Sequence, residues 1–237
     1  VKDWTARPGL FHGLDPRDVE AIVAAAQRRR VPRHGVFFHQ DAPAAALHLL
    51  VHGRTKLVQT TAEGHQVVVR IVAAGDMFGG VALLGDAKYP ATAEAIGASE
   101  ALVWPAAVVA RLVQRYPALA LNALRVLAQR LGELQDRFRE LATERVEQRI
   151  ARALIRLARQ AGRRDEDGVR IDMELTRQDL AELTGTTLYT VSRTLSAWQR
   201  RGLVDVGRTR VVIREPHGLV TIAEDLPARP PRGARRR

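Results

Sequence analysis

Residues 185–200 read GTTLYTVSRTLSAWQR. In a helix over this stretch, Tyr189, Ser192, Arg193 and Ser196 share one side, and Val191, Leu195 and Trp198 share the other. Arginine carries a planar fork that matches O6 and N7 of guanine, and a serine is small enough to approach a base edge. Thr187 and the unpaired backbone N–H groups at the helix start suit a phosphate. The polar side therefore holds the groups needed to grip a duplex and read it.

The residues just upstream support that geometry. Thr176 can cap a helix, Asp179 favours its N-terminus, and Leu180, Ala181 and Leu183 give it an inner face. Gly185 permits the sharp turn into the second helix. Helix, short glycine turn, helix is the arrangement in which the second helix enters the major groove. GLVDVGRTRVVI then predicts two short strands around Gly207-Arg208-Thr209, the wing of a winged helix. A helix pair that merely packs is the bland alternative; the wing and Arg193 weigh against it.

Composition agrees with a polyanionic partner. The 237 residues include 37 Lys plus Arg against 26 Asp plus Glu, a formal charge of +11. The absence of cysteine excludes disulfides, thiolate zinc sites and cysteine-held iron–sulfur clusters. VKDWTARPGLF lacks the apolar core of a signal peptide, and no run approaches the ~18 apolar residues of a membrane span. The expectation is a soluble cytoplasmic protein with no membrane partner.

Three further segments must position the reading helix. Leu14–Ala26 has helical spacing, with Asp15-Pro16 as cap and first turn. From Val31 to Trp104, the runs GVFFHQ, LHLLVHG, TKLVQTT, HQVVVRIV and EALVW predict an antiparallel sandwich or barrel. Beyond Pro105 the chain turns helical, and Leu124, Leu127, Leu131, Leu134, Phe138 and Leu141 follow at alternating steps of three and four. That is a coiled-coil seam and predicts a homodimer. A second helix is expected over Glu144–Ala161, ending at Gly162, with Thr143 as cap and candidate hinge between the two. GRRDEDG (162–168) reads as a polar loop. In LHLLVH, alternation puts Leu47, Leu49 and Val51 inside and His48 and His52 outside.

LTRQDLAELTGTTLYTVSRTL resembles the helix-turn-helix of the Crp/Fnr family of bacterial transcription regulators. The resemblance runs from about Leu10 to Ile213: strands with GDMFGG (75–80), the seam helix and the winged helix come in the family's order. It implies an α+β fold with an N-terminal cyclic-nucleotide-binding-like jelly roll, a long dimerisation helix and a C-terminal winged helix-turn-helix. The expected domains are a sensor (1–116), a dimerisation helix (117–143), a DNA-binding domain (144–226) and a disordered basic tail (227–237). By position, Arg177, Gln178 and Thr187 match the family's phosphate contacts, and Ser192-Arg193 match the base-reading pair of the Fnr branch. Leu188 and Tyr189 complete the expected DNA-contacting set. Where the family has a glutamate that accepts from cytosine, this chain has Tyr189, which cannot offer a carboxylate. RNA polymerase is the further partner that the resemblance implies.

The resemblance also places an effector pocket at Gly79, Gly80, Val81, Ala91, Thr92 and Ala93. The family's phosphate-clamping glutamate and arginine are replaced there by Gly80 and Ala91, which argues against cAMP. The effector is unidentified: a small apolar molecule leads, no ligand at all stays open, and haem on one of His12, His34, His39, His48, His52 or His65 is an open candidate. No metal site and no enzyme is expected, because His-x-His, Gly-x-Ser-x-Gly, the phosphate loop and His-Glu-x-x-His are all missing. The alternatives are a non-specific architectural DNA-binding protein and, further off, a cupin-like metal enzyme.

Overall fold

The computed structural model describes residues 9–84 and 87–226, so the basic tail expected at 227–237 lies outside the described residues. The chain divides into two compact units between Arg137 and Phe138.

The first unit opens with α1 (Pro16–Ala24), where the Asp15 side chain accepts from the Arg17 backbone N–H. The strands follow: β1 (Gln27–Val31), β2 (Val36–Phe38), β3 (Ala46–His52), β4 (Arg54–Thr60), β5 (Gln66–Ala73), β6 (Met77–Phe78), β7 (Thr92–Ala95) and β8 (Ser99–Pro105). They form two antiparallel four-stranded sheets, ordered β1-β8-β3-β6 and β2-β7-β4-β5. A 3-10 turn spans Gly80–Leu84, and α2 (Ala106–Arg115) and α3 (Ala118–Thr143) complete the run.

Two cores result, because the central strands of the first sheet, β8 and β3, are largely buried on both faces. Leu47, Leu49, Leu102 and Trp104 face α1, α2 and α3, packing with Ile22, Val109 and Leu119. Leu50 and Ala101 face the second sheet, with Phe37, Val72, Phe78 and Ala93. His48 shares this inner face and is only 2 % exposed, so its expected outward position is wrong. Period-two alternation separates the two faces of a strand but does not reveal that both are covered. His52 is exposed as expected.

In the second unit, α4 (Val146–Ala161) leads into a hairpin, β9 (Gly162–Asp165) and β10 (Gly168–Ile171). The segment expected to be a polar loop is thus the outer part of a sheet, because β10 finds a distant partner: Val169 pairs with Ile213. Then come α5 (Arg177–Thr184), α6 (Leu188–Arg200), β11 (Val204–Val206), β12 (Val211–Ile213) and α7 (Pro216–Ala223). The sheet order is β11-β12-β10-β9.

Thr143 does not cap α4. Its hydroxyl donates back to the Arg139 carbonyl, and α4 begins after Arg145, whose backbone N–H donates to Gln148 Oε1. Glu140, itself buried, accepts from Arg156 at 2.6 Å, and Glu144 accepts from Arg152 at 3.0 Å, so the end of α3 is bound to α4.

Candidate nucleic-acid interface and sensor site

The geometry of the helix pair follows from its caps. Thr176 Oγ1 accepts from the Asp179 N–H, and the Asp179 carboxylate accepts from the Thr176 N–H, both at 3.0 Å. At the other end Gly185 has φ +60°, a left-handed value that closes α5 and starts the turn. Thr187 caps α6 by accepting from the Thr190 N–H. Val191, Leu195 and Trp198 are buried at 1 % exposure or less, which fixes the rotation of α6. Leu188, Tyr189 and Arg193 are consequently exposed, and Ser192 is half-buried beside them. Arg177 and Gln178 occupy the first turn of α5, where Gln178 donates to Glu182. The wing turn is closed by the Gly207 N–H donating to the Arg210 carbonyl.

One residue of this assembly had not been expected from the sequence. The Arg149 guanidinium of α4 donates to the carbonyls of Thr184 and Gly185 in the turn, and to that of Glu144. It answers carbonyls left open at helix ends. No local sequence pattern announces it, because two of its three partners are backbone atoms 35 and 36 positions along the chain.

The effector residues fall into two groups. Ala91 and Ala93 are buried, with Ala93 in the core between the sheets, and the Thr92 hydroxyl accepts from the Gln40 N–H. Gly80 and Val81 instead line an apolar cavity of about 650 Å³, together with Leu47, Trp104, Val113, Leu124 and Leu127. Gly79 links the groups at φ +71°, where a Cβ would sit 3.0 Å from His48 Nδ1. A cyclic phosphate finds no guanidinium and no free carboxylate among these six residues, so the set does not fit that ligand.

His48 is the one buried member of the six candidate haem ligands. Phe37, Phe38, Phe78 and Tyr89 surround it, with ring centroids 5.0–6.4 Å away. Iron could reach its nitrogen only by displacing these rings, so this environment does not fit an axial ligand. Burial, helped by the charge of Arg29 and opposed by the Ala46 backbone, pushes the imidazole pKa down to about 4. Its Nδ1 has no hydrogen-bond partner.

Outside this pocket, α3 is fixed to the roll by Arg130, which meets Asp76 at 2.8 Å, and by Arg137, which donates to the Val69 carbonyl. Asp76 also faces Arg70 at 3.2 Å. Among the described residues, no group of three or more His, Asp or Glu could hold a metal ion, and no helix is long and apolar enough to cross a membrane.

A jelly roll, a long helix with an apolar stripe and a winged helix-turn-helix together define a chain with a cyclic-nucleotide-binding-like β domain and a helix-turn-helix DNA-binding domain. Comparison with known proteins gives the same pairing: the cyclic nucleotide-binding domain family matches residues 28–116 and the Crp-like helix-turn-helix family residues 148–222. The cyclic AMP receptor protein of Thermus thermophilus is 33 % identical over 92 % of this chain and 97 % of its own. A cAMP-activated CRP-like global transcriptional regulator of Mycobacterium tuberculosis is 25 % identical over 90 % of this chain and 96 % of its own. Among solved structures, a CRP-family transcriptional regulator of Thermus thermophilus superposes with a TM-score of 0.72 at 26 % identity, covering 84 % of this chain and 97 % of that one. The chain belongs to the Crp/Fnr family of transcription regulators.

Proposed function

We propose that the protein is a homodimer that binds a two-fold-symmetric DNA site, with Arg193 reading a guanine in each half-site. The observation that carries this reading is the outward face of α6, where Arg193 stands exposed beside Ser192 while the opposite face is locked into the core. Arg177, Gln178 and Thr187 then serve the phosphates, and Leu188 and Tyr189 lie along the base edges.

The dimer is supported by the stripe on α3. Leu124, Leu127, Leu131, Leu134, Phe138 and Leu141 are 49–73 % exposed in the single chain. Leucines at heptad spacing left in water are the signature of a helix that pairs with its like. A two-fold axis along that seam sets two recognition helices about one DNA turn, ~34 Å, apart. In this reading residues 1–116 sense, 117–143 dimerise and 144–226 bind DNA. As the family resemblance implies, the bound dimer then meets RNA polymerase.

The effector of this reading is apolar. The cavity beside Gly80 and Val81 has no charged residue in its lining, and two of its walls, Leu124 and Leu127, belong to the seam. A ligand there touches the helix on which dimerisation depends. Such coupling is typically ~1–3 kcal/mol.

Selection of bound sequences from a random duplex pool tests the reading. A symmetric motif with a G·C pair at a fixed place in each half is expected. Enrichment of nothing, with binding that depends only on salt, would instead mark a non-specific DNA-coating protein.

A further inference from the structure

The first two residues of α6 are out of place on an ordinary protein surface. Leu188 is 48 % exposed and Tyr189 73 %, although the other large apolar side chains of this helix, Val191, Leu195 and Trp198, are buried. Helical spacing places Leu188 one turn before Ser192, and Tyr189 one turn before Arg193. The apolar pair and the base-reading pair therefore form one continuous surface at the start of the helix. That end of a recognition helix is the part that meets base edges.

In the major groove the base edges offer hydrogen-bond donors and acceptors, and a single apolar feature, the C5-methyl group of thymine. We propose that Leu188 and Tyr189 form a receptor for a thymine methyl group, next to the G·C pair read by Arg193. The proposal rests on the reading of α6 as a sequence-specific DNA contact, and it names the base feature that this part of the helix recognises. Tyrosine stands where the family's glutamate would accept from cytosine N4, so the position changes from reading a donor to reading a methyl group. The tyrosine ring supplies the contact surface, and its hydroxyl stays free for water or a phosphate.

The test uses the full chain and the duplex that it selects. Each thymine is replaced in turn by deoxyuridine, which removes the methyl group and keeps every hydrogen-bonding atom. One position per half-site should weaken binding about fourfold, the equivalent of ~0.8 kcal/mol for a buried methyl-sized group. The Leu188→Ala, Tyr189→Ala double variant should bind the two duplexes alike. Both side chains are exposed, so the fold tolerates their loss, and Tyr189→Phe should retain the sensitivity to deoxyuridine. A symmetric site bound equally well with thymine or deoxyuridine throughout would overturn the methyl receptor alone. Failure to select any preferred duplex would overturn the reading of α6 and this inference with it.

Discussion

Acidification should destabilise the jelly roll through a single side chain, His48. Its folded pKa lies at about 4, against an ordinary value of 6.5, because the neutral ring is buried among aromatic rings and near Arg29. A histidine with a depressed folded pKa stabilises the fold fully above the unfolded value. That contribution is lost as pH falls from about 6.5 toward 4. Linkage puts the full loss at ~3 kcal/mol, and the part between pH 7 and pH 5 at ~2 kcal/mol. His48→Leu, nearly isosteric, removes the titrating group without opening a large cavity. Urea unfolding of both proteins at pH 7 and pH 5 isolates the effect, since carboxylates such as Glu100 titrate alike in each. The wild type should lose ~2 kcal/mol more than the variant over that interval. Equal losses would refute the assignment and mean that His48 finds a proton-stabilising partner when it becomes charged.

Three further outcomes follow from the geometry. Arg193→Ala should remove discrimination at the guanine, costing ~1–3 kcal/mol on the selected site and much less on random duplex, whereas Arg177→Ala should weaken both alike in the same titrations. Leu131→Glu with Leu134→Glu should give monomers in sedimentation that bind DNA poorly; an unchanged dimer would remove α3 as the seam. Gly168 has φ +136°, and a Cβ there would meet the Ile213 carbonyl oxygen at 2.2 Å, so Gly168→Ala should cost several kcal/mol, on the order of 3, by thermal unfolding.

How much of this was legible in the sequence depended on how local the cause was. The α5–α6 turn was readable because Thr176, Asp179 and Gly185 each act on neighbours in the chain. The α3 stripe was readable because heptad spacing is itself the signal. β1 was not read, because four of its five residues, Gln27–Arg30, are polar and exposed, as suits an edge strand. The β9–β10 hairpin was hidden by the same polarity, and its pairing to β12 joins residues more than forty positions apart. α7 escaped notice because its short PHGLVTIA run is held from outside: Gly218 lies so close to Leu203 that a Cβ would come within 2.6 Å of it. The effector set was read as one pocket; in the structure Ala93, on β7, lies in the core between the sheets, and Gly80, at the start of the 3-10 turn, lies beside the other core. The resemblance gave the positions of these residues but not the core beside which each one lies.

The three carbonyls gathered by Arg149 bear on how a signal could reach the DNA. One belongs to Glu144, just past the end of α3, and the other two to the turn that aims α6. Together with the Arg156–Glu140 and Arg152–Glu144 pairs, they make the final turns of α3 behave as a splined shaft seated in the DNA-reading unit. Arg149 thus joins the residue just past α3 to the turn that precedes α6 through one side chain. A flexible insertion after Thr143 leaves the Arg156–Glu140 pair in place, whereas one placed a turn or two before it separates this seated end from the rest of α3.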